Sequence, residues 1–146
     1  MGQEPNIIPG GFERIVEYSA GTRTAADAAA AIGCEVGQIV KSLVFRAGKE
    51  GPAVLVLCAG SNTVDSRKLG LVKADADFVR EVTGYAIGGV PPWNWASPPA
   101  RTLIDRDLMT FDEIWAAAGT PRHVFPLTPA ELVAITGGEV ERVAAH

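Results

Sequence analysis

The strongest constraint in the sequence is a pair of dense apolar runs, IVKSLVF (residues 39–45) and AVLVLCA (residues 53–59), joined by RAGKEGP. Runs this rich in branched side chains suit strands, and Gly51-Pro52 supplies turn chemistry between them. Two such runs so close together read as an antiparallel pair. Neither alternates cleanly between apolar and polar residues, so the pair is expected to be buried on both faces. A sheet covered on both faces needs further layers, which the rest of the chain must provide.

Helix signals surround this pair. Thr24 is an N-cap with an acid, Asp27, three residues later, and the Ala-rich run to Ile32 stops at Gly33. Asp75 caps a second helix whose Phe78, Val79 and Val82 share one face. Near the end, Thr128 caps a third, Pro129 takes its first position, Glu131 closes the capping box and Gly137-Gly138 ends it. Residues 64–71 also suggest a short helix. Further strands are expected at IVEYS (15–19), TGYAIGGV (83–90), RTLID (101–105) and HVFPL (123–127), where Pro126 confines the strand to an edge or an end. FDEIWAAAG (111–119) is ambiguous, because its alanines favour a helix while its shortness and Gly119 do not. Helices and strands do not alternate as in a doubly wound sheet. The expected fold is a mixed α+β (α/β) single compact domain over residues 13–146, a mixed sheet flanked by short helices, behind an irregular lead at 1–12.

Composition removes several function classes. The chain is 47% hydrophobic and 21% charged, as in ordinary globular proteins, and no run nears the ~18 apolar residues of a membrane span. The N-terminus lacks the basic and apolar regions of a signal peptide, and Asn6 stands where a myristoylation signal has Ser or Thr, so a cytoplasmic location is expected. A net charge of −4 argues against a protein that coats nucleic acid, DNA included, by bulk electrostatics, yet permits a local pocket for one RNA end. The groups Arg46/Lys49 and Arg67/Lys68/Lys73 read as solvated surface. His123 and His146 are the only histidines, too few for a hydrolytic zinc site. No phosphate loop, dinucleotide turn or nucleophile elbow occurs. Asp105 and Asp107 read as solvent-facing or capping, and Cys34 and Cys58 as inert core thiols.

Three features remain. Lys41 interrupts an apolar run and shares a strand face with Leu43 and Phe45, so it either snorkels from a strand end or sets a positive charge at a pocket mouth. Gly88-Gly89-Val90-Pro91-Pro92 is either an ordinary turn or a stiffened loop that lets a ligand approach the main chain. Gly119-Thr120-Pro121-Arg122-His123 delivers a histidine to a strand start, where it is structural unless a site surrounds it.

Together these segments resemble the YbaK/ProX family of editing deacylases, which includes the inserted editing domain of bacterial prolyl-tRNA synthetases. The resemblance runs from about Ile15 to Val143. It rests on the order TRTAADAAAAIGCEVGQIVKSLVF, AVLVLCAG, KLGLVKADADFVREVTGYAIGGVPP, LIDRDLM and AAAGTPRHVFPLTPAELVAITGGEV. It implies a mixed-sheet domain that hydrolyses the ester between an amino acid and the terminal ribose of tRNA, in trans, with no metal, cofactor or covalent nucleophile. By resemblance, Lys41 holds a phosphate or ribose, while the backbone of Gly88, Gly89, Val90, Pro91 and Pro92 binds the amino-acid end and helps place the water. Tyr18 lies beside the pocket, and Gly119 and His123 shape it. The implied partner is the acceptor end of aminoacyl-tRNA, with a synthetase as a further candidate and no membrane. The cysteine-editing branch has Ser at the Ala117 position and lacks the histidine, so alanine, serine or threonine is the expected substrate type rather than cysteine. Two alternatives remain: a non-catalytic binder of tRNA ends or small ligands, and an interaction domain that uses Trp93 and Trp95 as an exposed patch.

Overall fold

The structure is a computed structural model that describes residues 15–17 and 24–145. The N-terminal lead, Tyr18 and His146 lie outside the described residues. The two apolar runs form β2 (Val40–Arg46) and β3 (Ala53–Ala59), antiparallel along their full length, with Val40 opposite Ala59 and Arg46 opposite Ala53. β3 lies at the centre of a five-stranded sheet. β4 (Val72–Lys73) flanks β2, while β5 (Arg101–Asp105) and β8 (Glu139–Glu141) follow β3 in parallel. The sheet is therefore mixed, as expected.

Every residue of β3 is buried. Ala53, Leu55, Leu57 and Ala59 enter the larger core with Phe125, Leu127 and Leu132, and Val54, Val56 and Cys58 pack on the other face with Leu103 and Val143. Each fully buried aliphatic side chain of this size contributes about 1.5–3 kcal/mol, which makes β3 the main energetic link between the layers.

The second sheet has three strands, in the order β1 (Val16–Glu17), β7 (His123–Leu127) and β6 (Ile114–Ala117), all antiparallel. An isolated parallel bridge from Ile39 to Trp115 ties it to the entrance of β2. The ambiguous segment at 111–119 thus contributes a strand. Ile114 and Ala116 are buried while Trp115 and Ala117 are half-buried, a period of two that overrides the helix propensity of alanine. Pro126 pairs with Trp115, one residue from the end of β7, beyond the described pairs of β1 with β7, which are at Val124 and His123.

The helices follow their caps. α1 (Ala25–Ile32) starts on the Thr24–Asp27 capping box, and α3 (Pro129–Thr136) on the Thr128–Glu131 box. α2 (Ala76–Thr83) starts on Asp75, whose carboxylate accepts the Phe78 amide at 2.8 Å. Each ends on a left-handed glycine, at 33, 137 and 84 respectively.

Three expectations are corrected. Residues 83–90 form no strand: α2 takes up Thr83, and positive φ at Gly84 (85°) and Gly88 (94°) breaks any extended run. Residues 64–71 form no helix: Val64 makes an isolated antiparallel bridge to Ala144, and the turn over 66–70, capped by Asp65, stops at Gly70, where φ is 69°. Trp93 and Trp95 form no exposed patch. Trp95 is 9% exposed and donates from Nε1 to the Pro91 carbonyl at 2.9 Å, while Trp93 packs edge-on against Phe125 with ring centres 5.5 Å apart. Buried aromatics of this kind stiffen the segment after the double proline.

Candidate active site

β4 pairs with β2 only at Phe45 and Arg46, and the Ile39–Trp115 bridge lies at the opposite end. Between them one edge of β2 has no strand neighbour among the described residues. Val40, Lys41, Ser42 and Leu43 line a cavity of about 630 Å³ there. Four consecutive strand residues can line one cavity only if it runs along the strand's edge, because their side chains alternate between faces. Its volume falls in the roughly 300–1,000 Å³ range of small-molecule sites. A second cavity of about 180 Å³ shares Ser42, Leu43, Ile87 and Val90 with it and extends toward Ala74 and Val79.

The cavity gathers Lys41, Gly88, Val90 and His123, which lie far apart in sequence, together with Thr120, Pro121 and Trp115. Gly89, Pro91, Pro92 and Gly119 do not line it. They act behind it. A Cβ on Gly89 would lie 2.8 Å from the Thr120 carbonyl carbon and 2.9 Å from the Pro121 nitrogen, so glycine lets this loop press against the turn that carries His123. Pro91 and Pro92 are buried, and Pro91 anchors Trp95. Tyr18 cannot be placed, since it lies outside the described residues.

Lys41 sits opposite Cys58 in the ladder, on the Leu43 and Phe45 side of β2. Its ammonium donates to the Asn62 carbonyl. That leaves donors for a second acceptor, since an ammonium carries three. His123 is held through Nδ1, 2.6 Å from the Thr120 hydroxyl, which also accepts the Arg122 amide at 3.2 Å. Thr120 is only 4% exposed, and a buried hydroxyl needs an acceptor for its own proton. His123 Nδ1 fills that role when the ring carries its proton on Nε2, which lies 3.9 Å from the exposed Glu17 carboxylate. Thr120 therefore orients the imidazole. Ser42 Oγ is buried with no hydrogen-bond partner among the described residues, so no base stands ready to activate it.

Neither thiol is primed. Burial pushes Cys58 up to about 12 against the opposing pull of Lys41, with Asp105 and Asp107 adding to the rise, and burial also raises Cys34. Among the described residues, no group of three or more His, Cys, Asp or Glu could hold a metal.

Sequence reasoning missed Thr120, Ser42 and Asn62, and of the two roles expected for Asp105, solvent-facing or capping, the structure shows the cap. Asp105 caps the turn after β5, but it is 1% exposed rather than solvent-facing, with Oδ2 accepting the Ala59 amide at 3.0 Å. Thr120 was legible in principle, as a hydroxyl three residues before a histidine. Asn62 was not, because its partners lie 43 and 45 residues away.

Comparison with known proteins settles the family. Residues 19–135 match the aminoacyl-tRNA editing domain. The chain belongs to that family. The likeness to the YbaK/ProX group is thereby borne out, and the fold, with two sheets and three helices among the described residues, matches that of its solved relatives. The editing domain is 48% identical to a solved structure described as a putative trans-editing enzyme for prolyl-tRNA synthetase, with a TM-score of 0.82 over 90% of this chain and 86% of that one. A scaffold used for computational epitope grafting is 45% identical, with a TM-score of 0.84 over 90% of this chain and 86% of its own. The uncharacterized protein YwhH of Bacillus subtilis (strain 168) is 33% identical over 124 residues, 81% of this chain and 78% of that protein. No helix among the described residues is long and apolar enough to cross a membrane.

Proposed function

We propose that the chain is an aminoacyl-tRNA deacylase that acts in trans on tRNA mischarged with a small amino acid, of alanine, serine or threonine type. The observation that carries this reading is the cavity itself, which has Lys41, the Gly88 main chain and a held His123 on its walls in an editing-domain fold. An aminoacyl ester is already activated by the neighbouring ribose hydroxyl and the α-ammonium group. The protein mainly has to fix the ester and a water, which proximity and preorganised dipoles accomplish without covalent catalysis.

In this reading Lys41 binds a phosphate or the ribose of the terminal nucleotide with the donors that Asn62 leaves available. The exposed Gly88, in a conformation closed to most side chains, brings main-chain groups to the ester and the attacking water. Gly89, Pro91 and Pro92 keep that loop in place, and Val90 lines the cavity floor. His123, with its ring fixed by Thr120, limits the side chain that enters. The half-buried Ala117 leaves no hydroxyl where a serine would stand.

The test is release of labelled alanine from alanyl-tRNA. The native chain should deacylate, and Lys41→Ala should lose about 1.5–3 kcal/mol of transition-state stabilisation, the worth of a hydrogen bond to a charged group, or roughly 10- to 150-fold in kcat/KM. Tight binding of the tRNA end without release identifies a non-catalytic module instead.

A further inference from the structure

Behind Lys41 lies a polar network that the cavity does not use directly. The turn leaving β3 brings Asn62 back over its end, with the Asn62 amide donating to the Ala59 carbonyl at 2.9 Å. Asn62 then faces two ways. Its carbonyl accepts from the Lys41 ammonium. Its side-chain nitrogen donates to Asp105 Oδ2 and to Asp107 Oδ2, both at 2.8 Å, so each amide proton has a carboxylate of its own.

The carboxylates are themselves held. Asp105 is 1% exposed, with Oδ2 also accepting the Ala59 amide and Oδ1 accepting the Asp107 amide at 3.0 Å. A continuous chain of hydrogen bonds therefore runs from the turn after β5, through Asn62, to the ammonium of Lys41. Anchoring the Asn62 turn does not by itself call for charge, since neutral acceptors would serve. Burying a carboxylate is costly unless a cation or several donors compensate it. Asp105 has three donors, the Ala59 and Asp107 amides and the Asn62 side chain, and the Lys41 ammonium, bonded to the Asn62 carbonyl, adds a positive charge next to this network.

We propose that Asp105 and Asp107 position Lys41 through Asn62, holding the ammonium at a fixed place and orientation on the cavity wall before substrate arrives. A lysine head left free would lose rotamer freedom on meeting a phosphate, and the network removes that loss in advance. Asn62, Asp105 and Asp107 are positioning residues. This inference rests on the reading of Lys41 as the anchor for the tRNA end.

A double-mutant cycle on alanyl-tRNA deacylation separates the two claims. Asp105 also holds the Ala59 amide, so the cycle uses Asn62→Ala and Asp107→Ala, each alone and each combined with Lys41→Ala. Each single variant should stay folded, with Asn62→Ala melting several degrees lower because it takes a donor from the buried Asp105, and each should lose about tenfold in kcat/KM, in line with hydrogen bonds to charged groups. The same substitutions should slow the Lys41→Ala background by less than about twofold, because what they position is already gone. An equal loss in both backgrounds, or full activity of Asn62→Ala beside an impaired Lys41→Ala, overturns the positioning role alone. Full activity of Lys41→Ala overturns the anchor reading and this inference with it.

Discussion

Replacing Gly89 with Ala probes whether the Gly-Pro loop and the His123 turn act as one unit. The added Cβ lands 2.8 Å from the Thr120 carbonyl carbon, and 2.9 Å from both the Pro121 nitrogen and the Thr120 Cα. All three are main-chain atoms, which cannot swing aside as a side-chain tip can. One segment must retreat by about half an ångström to regain ordinary contact distance. Overpacking of this kind costs about 1–3 kcal/mol, and at about 2–4 °C per kcal/mol a domain of this size should melt several degrees lower. The kinetic effect should be larger than the stability effect suggests, because a misplacement of about 1 Å can cost about 100-fold. A tenfold or greater fall in single-turnover alanyl-tRNA deacylation is expected. Gly88→Ala gives the contrast: its Cβ meets only Pro121 carbons, at 3.8 and 4.0 Å, but its φ of 94° strains an L residue, so the damage there comes from strain rather than collision. Wild-type melting and rate for Gly89→Ala would refute the close packing of the two segments. A lowered melting point with an unchanged rate would refute its role in placing the site.

Other consequences are checked more briefly. The folded Cys58 thiol titrates far above its ordinary range, so the unfolded chain loses that proton first as pH rises. Its share of stability is complete below pH about 9 and declines toward pH 12, by at most about 1.4 kcal/mol per pH unit; Cys58→Ala should flatten this alkaline decline in denaturant melts, and an unchanged slope counts against the burial argument. Chelation with EDTA should leave deacylation intact, and loss of activity with rescue by zinc would sink the metal-free mechanism. His123→Ala should widen acceptance toward larger side chains by about 1–3 kcal/mol per methylene, read as the ratio of kcat/KM values for two amino acids. An unaltered ranking removes His123 from selectivity.

What could be read in advance depended on whether the signal was local. The helix caps at Thr24, Asp75 and Thr128 were legible because a cap and its first turn are neighbours in sequence. The β2–β3 pair was legible because its apolar runs are adjacent. Short partners were not: β4 has two residues and β8 three, and each exists only because a longer strand offers it an edge. The segment at 83–90 misled because branched and aromatic residues suggested a strand, whereas the glycines at 84 and 88 governed the backbone. Within the site, Lys41, Gly88, Val90 and His123 were singled out by residue type and do meet at one cavity. The Asn62–Asp105–Asp107 network depends on contacts across more than forty residues, and no pattern near any of the three announces it.

The central claim, a deacylase for small mischarged amino acids, is tested most directly by single-turnover release from tRNAs charged with alanine, serine, threonine and cysteine, at matched enzyme excess. Faster release of alanine, serine or threonine than of cysteine is expected. The rates among neighbouring small amino acids should be graded, because one methylene or hydroxyl discriminates only modestly in a pocket of this kind. Cysteine as the best substrate would contradict the specificity drawn from Ala117 and His123, and no release from any of the four would contradict the deacylase reading itself.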